Sequence, residues 1–249
     1  MGHWYTQDGQ LIECDLRQAR KDNLLPSVTA ITGMFDKPGL NEWRINNALY
    51  ALLTMPALDE WKNGKRNYDE LIKMAKEDAE KVSLTSRDLG TEIHFAIRQH
   101  LVGAGHAVSA EAANIMDRSG VMEWLDLNCG EKHLSEFSGA NLESGYGGTI
   151  DWYGRESRTL IDFKTSNVRS KPFYGDEYLM QLAAYEWILQ VQGYEVSTIK
   201  SVIISTNADN IGIWEREWSL TELLRGLGIF EHLLEAWRLQ KKYPFKRIS

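Results

Sequence analysis

Alternating hydrophobic and polar positions across residues 146–167 predict the centre of the fold. Two β-prone runs, 148–153 and 159–165, flank a short polar loop, which is typical of an antiparallel hairpin. If Asp151 lies opposite Asp162, side-chain alternation separates a polar face from an apolar face. The predicted polar face holds Thr149, Asp151, Tyr153, Leu160, Asp162 and Lys164. The apolar face, which we expect to pack on the core, holds Ile150, Trp152, Ile161 and Phe163.

The rest of the chain shows helical and β-prone segments on both sides of this hairpin. Hydrophobic periodicity and turn residues predict a short hairpin at 4–13, strands at 198–206 and 211–218, and helices at 39–61 (broken at Pro56), 67–82, 86–101, 109–128, 177–192 and 220–242. We therefore predict an α/β fold, in which a mixed central β-sheet is flanked by helices and accompanied by a helical N-terminal lobe. Residues 1–86 are expected to form the hairpin and lobe, and residues 87–249 the core, packed as one compact unit.

The polar face of the predicted hairpin carries an unusual pair of charges. Two carboxylates directly opposite each other, Asp151 and Asp162, repel, and strand pairs normally avoid this arrangement. A divalent cation removes the repulsion, because Mg²⁺ is held by one or two carboxylates together with water and substrate phosphate. Lys164 follows Asp162 on the same face at roughly 6.6 Å, where an ammonium can orient an attacking water or offset negative charge. The pattern indicates metal-dependent cleavage of phosphodiester bonds.

Four motifs in order resemble a known family. These are Gly90-x-x-x-His94, the GGTID of 147–151, the IDFKTS of 161–166 and Gln181-x-x-x-Tyr185. Together they resemble the PD-(D/E)XK nucleases of the RecB-like type, which include the mitochondrial genome maintenance exonuclease, CRISPR adaptation nucleases and many phage exonucleases. The resemblance covers residues 90–185 and implies a restriction-endonuclease-like core.

The resemblance also implies roles for individual residues. His94 would be a metal ligand beside Asp151 and Asp162, with the backbone carbonyl of Phe163 completing the metal shell, and Lys164 would be catalytic. A histidine on an apolar helix face is otherwise more often simply packed. Because imidazole favours transition metals, a histidine ligand favours Mn²⁺ over Mg²⁺.

Two further roles follow from the same resemblance. Gln181 and Tyr185, one helical turn apart, would face the site and touch substrate or orient the lysine. Residues 134–138 resemble the first strand of the nuclease sheet, where relatives often carry a glutamate. Glu136 is therefore a candidate to support the metal or its water from outside the ligand shell. The alternatives are a helix surface pair for the first two residues and an exposed strand carboxylate for Glu136.

Basic and aromatic residues elsewhere are candidates for substrate contact. The loop at 168–178 directly follows the predicted catalytic strand, and its basic residues are placed to contact a nucleic acid backbone. The predicted substrate-binding residues are Thr165, Ser166, Arg169 and Lys171, with Gln181 and Tyr185. Ser27 or Thr29 can cap a helix or hold a phosphate at its N-terminus. Trp43 and Trp61 suit either base stacking or a core, and we expect at least one of them to be buried.

Composition excludes some classes of protein. The net charge of −7 over 249 residues argues against a histone-like coat, although local basic clusters decide where a phosphate backbone binds. Two cysteines, Cys14 and Cys129, are too few for the four-cysteine iron-sulfur cluster of some RecB-like relatives, so none is expected. No apolar run is long enough to span a membrane, and the first ten residues lack a signal peptide's hydrophobic region. We expect a cytoplasmic protein without membrane association.

These observations favour a Mg²⁺- or Mn²⁺-dependent DNA nuclease. An exonuclease acting on single strands or DNA ends, in recombination, repair or replication, is the preferred interpretation, with a phage or bacterial role and replication or recombination protein partners as family-level expectations. One alternative is a non-catalytic nucleic-acid- or partner-binding module that has kept the nuclease fold. Another is a structure-specific endonuclease.

Overall fold

A computed structural model describes residues 2–105 and 107–243. The strands are β1 (Gly2–Tyr5), β2 (Leu11–Cys14), β3 (Leu25–Pro26), β4 (His133–Asn141), β5 (Tyr146–Gly154), β6 (Thr159–Ser166), β7 (Thr198–Ser205) and β8 (Ile213–Glu217). The helices are α1 (Leu16–Lys21), α2 (Val28–Thr32), α3 (Pro38–Thr54), α4 (Ala57–Lys62), α5 (Tyr68–Leu101), α6 (Ala110–Ser119), α7 (Val121–Asn128), α8 (Asp176–Val191) and α9 (Leu220–Lys241). The fold is α/β, as predicted.

A five-stranded mixed sheet forms the centre, in the order β4-β5-β6-β7-β8. The pairs β4–β5, β5–β6 and β7–β8 are antiparallel, whereas β6 and β7 are parallel. A parallel pair needs a long crossover, and α8 supplies it between β6 and β7. The predicted hairpin is therefore confirmed as β5–β6, and its register pairs Trp152 with Ile161.

Helices cover both faces of this sheet. The main hydrophobic cluster packs α8 and α9 against the strands and includes Leu182, Ile188 and Phe230. Trp124 of α7 packs edge-on against Phe163, with ring centroids 6.1 Å apart, and its indole N–H donates to Glu215 of β8 at 2.8 Å. Because both faces are covered, the three central strands, β5, β6 and β7, are largely buried.

The predicted division of the hairpin into one polar and one apolar face needs correction. The main cluster contains Ile150 together with Tyr153 and Leu160, although the last two were assigned to the polar face. Asp162 is 0% exposed. Burial on both sides of the sheet explains this difference, since the polar face lies under α8 rather than in solvent.

The chain forms two units. One contains residues up to Phe35 together with Ile93 onward, and the other contains Asp36–Glu92. The N-terminal hairpin β1–β2, which we had expected to belong to a lobe of residues 1–86, groups with the sheet. Strand β1 pairs with β3, and the bridge from Ser27 to Gly147 joins this small sheet to β5.

Helix boundaries differ from the sequence prediction at two places. The separate helices expected at 67–82 and from 86 form one helix of 34 residues, α5, because nothing in that stretch breaks the periodicity. The single helix expected at 109–128 is split into α6 and α7 by Gly120, whose φ of 70° is left-handed. Ser27 caps α2 by accepting from the N–H of Ala30, which confirms one of the two proposed caps.

Two other expectations have clear outcomes. Neither Trp43 nor Trp61 is buried, so the expectation that at least one lies in a core is wrong. Helix α3, which carries Trp43, has no fully buried residue. None of the helices in the described part of the chain is long and apolar enough to cross a membrane.

Candidate active site

The hairpin β5–β6 opens at the position of the two carboxylates. The backbone pairing of these strands covers Trp152 with Ile161 and the two pairs nearer the turn, and stops there. Beyond that point the side chain of Asp151 takes over, since its Oδ2 accepts a hydrogen bond from the backbone N–H of Phe163 at 2.8 Å. The carboxylate of Asp151 thereby accepts a hydrogen bond that a backbone carbonyl of β5 would otherwise accept, and it is fixed beside β6.

Asp162 lies at the centre of the cluster. Its Oδ2 is 2.6 Å from Nζ of Lys164, and its Oδ1 accepts a hydrogen bond from Nε2 of Gln181 at 2.9 Å. The same Gln181 nitrogen donates to the hydroxyl of Tyr185 at 3.0 Å. The structure therefore brings together four of the residues that the motifs indicated, two from β6 and two from the adjacent α8.

Burial shapes the charges of this cluster. Burial raises the pKa of Asp151, and it raises the pKa of Asp162 to about 6, with the neighbouring Asp151 acting in the same direction and Lys164 opposing. The ammonium of Lys164 has a raised pKa because both carboxylates stabilise its charge against burial. Two buried acids thus share one lysine, and the site carries more negative charge than that lysine neutralises.

His94 of α5 reaches the same cluster. Its Nδ1 lies 4.0 Å from Oδ2 of Asp151. Burial, followed by repulsion from Lys164, lowers the pKa of His94 to about 4, so the imidazole is neutral at pH 7. A neutral imidazole has a free lone pair, which is the form that binds metals.

Two glycines of the GGTID motif make room for aromatic rings. A Cβ on Gly147 would overlap the ring of Tyr5, and a Cβ on Gly148 would lie 2.5 Å from Cε1 of Tyr185. These contacts explain the glycine pair physically, because only glycine lets the backbone of β5 approach both rings so closely. Gly148 therefore leaves room for Tyr185, whose hydroxyl accepts from the same Gln181 nitrogen that donates to Asp162.

Sequence reasoning missed two tyrosines at this site. Tyr5 of β1 is joined to Thr149, and Thr149 to Ser138, by hydroxyl hydrogen bonds of 2.9 Å each. The ring of Tyr178 lies 5.7 Å from Nζ of Lys164, within the range of a cation–π contact. Tyr178 precedes Gln181 by three residues on α8, so helical spacing from the Gln-x-x-x-Tyr motif is a signal that would have indicated it.

Glu136 of β4 has a strained backbone. Its φ of 50° is left-handed, which is uncommon for a non-glycine residue in the middle of a strand. The residues on either side of it pair with Trp152 and Ile150 of β5, so Glu136 faces the position of Asp151. Burial and Asp151 raise the pKa of the Glu136 carboxyl. The structure places this predicted supporting residue next to the site, although its side chain is largely exposed.

The predicted substrate-binding residues are not all in the cluster. Thr165 and Ser166 continue β6 beyond Lys164 and are half-buried. Arg169 and Lys171 lie in the following loop and are exposed, so no contact joins them to the carboxylates in the described structure.

The donor set is compatible with a divalent metal. No group of three or more His, Cys, Asp or Glu side chains is arranged to hold a metal ion within residues 2–105 and 107–243, so the predicted ligands His94, Asp151 and Asp162 do not form a preassembled three-residue cluster. Mg²⁺ does not require one, because it keeps several waters and usually binds one or two carboxylates. A bound cation would offset the excess negative charge of Asp151 and Asp162.

Comparison with known proteins gives structural similarities only. No protein-family model matches the chain, and no curated protein matches it by sequence. A candidate exonuclease from Eubacterium rectale aligns over 63% of this chain and 69% of its own, at 12% identity and a TM-score of 0.48. A phage-related exonuclease from Haemophilus somnus aligns over 62% and 83%, at 15% identity and a TM-score of 0.34. An alkaline exonuclease from Laribacter hongkongensis aligns over 61% and 84%, at 15% identity and a TM-score of 0.30.

Proposed function

We propose that this chain is a divalent-metal-dependent DNA nuclease that hydrolyses phosphodiester bonds, acting as an exonuclease on single strands or DNA ends. One observation carries the proposal: Asp162, 0% exposed, has Lys164 at 2.6 Å and lies in the same buried cluster as Asp151. Burying two acids with a single lysine costs stability. Such an arrangement is typical of functional sites, where the charges are needed. A cation and a phosphate diester are the ligands that this pattern of charge fits.

Each side chain has a role in that reaction. Asp151 and Asp162 would hold Mg²⁺ or Mn²⁺, and the neutral His94 and the carbonyl of Phe163 complete the proposed ligand set. A divalent metal held by these residues would supply Lewis-acid polarisation of the scissile phosphate and a more acidic water. Lys164 orients the attacking water and places its positive charge where the phosphate gains negative charge.

The residues around these groups keep them in place. Gln181 donates to Oδ1 of Asp162, which leaves Oδ2 directed at Lys164. Tyr178 lies against the ammonium, and Tyr185 holds Gln181 from the side of α8. Glu136 supports the metal or its water from outside. Thr165, Ser166, Arg169 and Lys171 are the proposed contacts to the nucleic acid backbone. The proposed setting is cytoplasmic, in DNA recombination, repair or replication, with protein partners from those processes.

A cleavage assay tests the proposal. Single-stranded and duplex DNA, labelled at either end, are incubated with the purified protein in Mn²⁺, Mg²⁺ or EDTA. We expect cleavage only with metal, and a loss of about 100-fold or more in Asp162→Asn and Lys164→Met. Lys200→Met is a matched control, because Lys200 pairs with Glu215 on β7–β8 outside the cluster. Cleavage by both site variants at the wild-type rate would exclude this mechanism.

Two alternatives have their own outcomes in this assay. The second candidate is a non-catalytic module that binds nucleic acid or a partner. Metal-independent DNA binding without any product would support it. Cleavage of closed circular single strands would instead identify an endonuclease, because an exonuclease leaves circles intact.

A further inference from the structure

One aromatic side chain protrudes from the surface of the protein. Phe173 is 82% exposed, the largest exposed fraction of any large hydrophobic side chain in the described part of the chain. It lies in the loop between β6 and α8, which we call the 167–175 loop. Full burial of a phenylalanine side chain stabilises a protein by about 1.5–3 kcal/mol relative to exposure. A partner that covered the ring of Phe173 would recover part of this free energy.

The 167–175 loop is held at both ends. Val168 is 3% exposed, and its carbonyl accepts a hydrogen bond from Nδ2 of Asn210 at 3.1 Å. Near the other end, the ring of Tyr174 packs edge-on against Trp218, at 6.4 Å between centroids, and under the guanidinium of Arg216 at 5.6 Å. Pro172 restricts the backbone directly before Phe173. The exposed ring is therefore presented from a constrained position.

The location of the loop relates it to the reaction. It joins the strand that carries Asp162 and Lys164 to the helix that carries Tyr178 and Gln181. A group bound on this loop is therefore adjacent, along the chain, to both halves of the cluster. Loops that follow a catalytic strand are where substrate contacts concentrate.

The charge of the loop suits one kind of partner. Residues 168–175 contain Arg169 and Lys171 and no acidic residue, in a chain whose net charge is −7. Both basic side chains are exposed. Cations that meet the phosphates, together with an aromatic ring that stacks on a base, are the combination used to bind single-stranded nucleic acid.

We infer that Phe173 stacks on an unpaired nucleobase next to the scissile phosphate, while Arg169 and Lys171 contact the flanking phosphates. This inference rests on the proposed nuclease function and deepens it, because the proposed partner of the ring is an unpaired base. The substrate end that enters the site is therefore single-stranded or frayed.

Binding in EDTA separates stacking from backbone contact, since no cleavage is expected there. The affinity of the full chain is measured for a short oligo-dT and for the same strand with abasic positions. We expect Phe173→Ala to weaken oligo-dT binding about 5- to 150-fold, the equivalent of ~1–3 kcal/mol per stacked base, and to leave abasic binding unchanged. Phe173→Trp should retain affinity. Leu239→Ala is the control, because Leu239 is 78% exposed on α9.

Salt dependence gives a second readout. Removing one phosphate contact with Arg169→Gln or Lys171→Gln should lower the slope of log K against log salt by about 0.7, whereas Phe173→Ala should leave it unchanged. Equal losses for Phe173→Ala on oligo-dT and on the abasic strand, or no loss on either, would overturn the inference. Metal-dependent cleavage that survives such a result would leave the nuclease proposal intact. Phe173-dependent binding without cleavage would instead overturn the nuclease proposal alone.

Discussion

Replacing Lys164 with methionine measures how much the lysine ammonium stabilises the buried carboxylate of Asp162. Met has nearly the same length and lacks the ammonium, so Lys164→Met leaves Asp162, which is 0% exposed, without its counter-charge. The hydrogen bond from Gln181 remains. Breaking a buried ion pair by removing one partner costs about 3–5 kcal/mol, and for a chain of this size it lowers Tm by about 6–20 °C.

A second substitution tests the reason for that loss. Asp162→Asn combined with Lys164→Met removes both charges, and the Asn oxygen still accepts from Gln181. We expect this double variant to regain more than half of the lost free energy of unfolding while remaining inactive on DNA. The loss of free energy of unfolding in Lys164→Met alone should also be smaller at pH 5, because the pKa of Asp162 is about 6 and its carboxyl is then largely protonated.

Denaturant unfolding in EDTA measures these values, with Lys200→Met as control. Lys200 and Glu215 form a half-exposed pair at 3.0 Å, so the control should change stability by less than about 1 kcal/mol. The reasoning fails if Lys164→Met unfolds within about 1 kcal/mol of the wild type, or if the double variant is no more stable than the single one.

Three further predictions concern neighbours of this pair. Because the pKa of Asp162 is raised and that of His94 is lowered, lowering the pH from 6.5 to 4 strengthens folding through Asp162 and weakens it through His94. Relative to the wild type, unfolding in EDTA should therefore show Asp162→Asn losing stability and His94→Gln gaining stability as the pH falls over this range, and profiles parallel to the wild type would contradict this. Gly148→Ala should cost about 1–3 kcal/mol and reduce cleavage by displacing Tyr185; Gly228→Ala, with open space around it, is the control. Tyr178→Leu should lower kcat about 2- to 5-fold, equivalent to ~0.5–1 kcal/mol, and Tyr178→Phe should not; a change confined to KM would indicate a substrate contact instead.

Strain at Glu136 is consistent with a site under functional constraint. Holding a non-glycine residue at a φ of 50° costs about 1–3 kcal/mol, and the conformation persists only where the surroundings impose it. The neighbouring pairs of β4 with β5 impose it here, at the position facing Asp151.

Local sequence determined the parts of this protein that depend on neighbours along the chain. Strand alternation and a polar turn were enough to indicate the hairpin, its register and the shared face of Asp151, Asp162 and Lys164. Helical spacing was enough to place Gln181 with Tyr185. These features follow from periods of 2 and 3.6 residues, which a single sequence displays directly.

Tertiary structure alone decided how that face is enclosed. Tyr5 reaches Thr149 across 144 residues of sequence, and no periodic pattern links them. The burial of Asp162 under α8, and with it the raised pKa, depends on a helix that packs back onto the strand preceding it. Local patterns specify which side chains share a face, whereas the packing of distant segments determines whether that face meets water or protein, and therefore how strongly its charges interact.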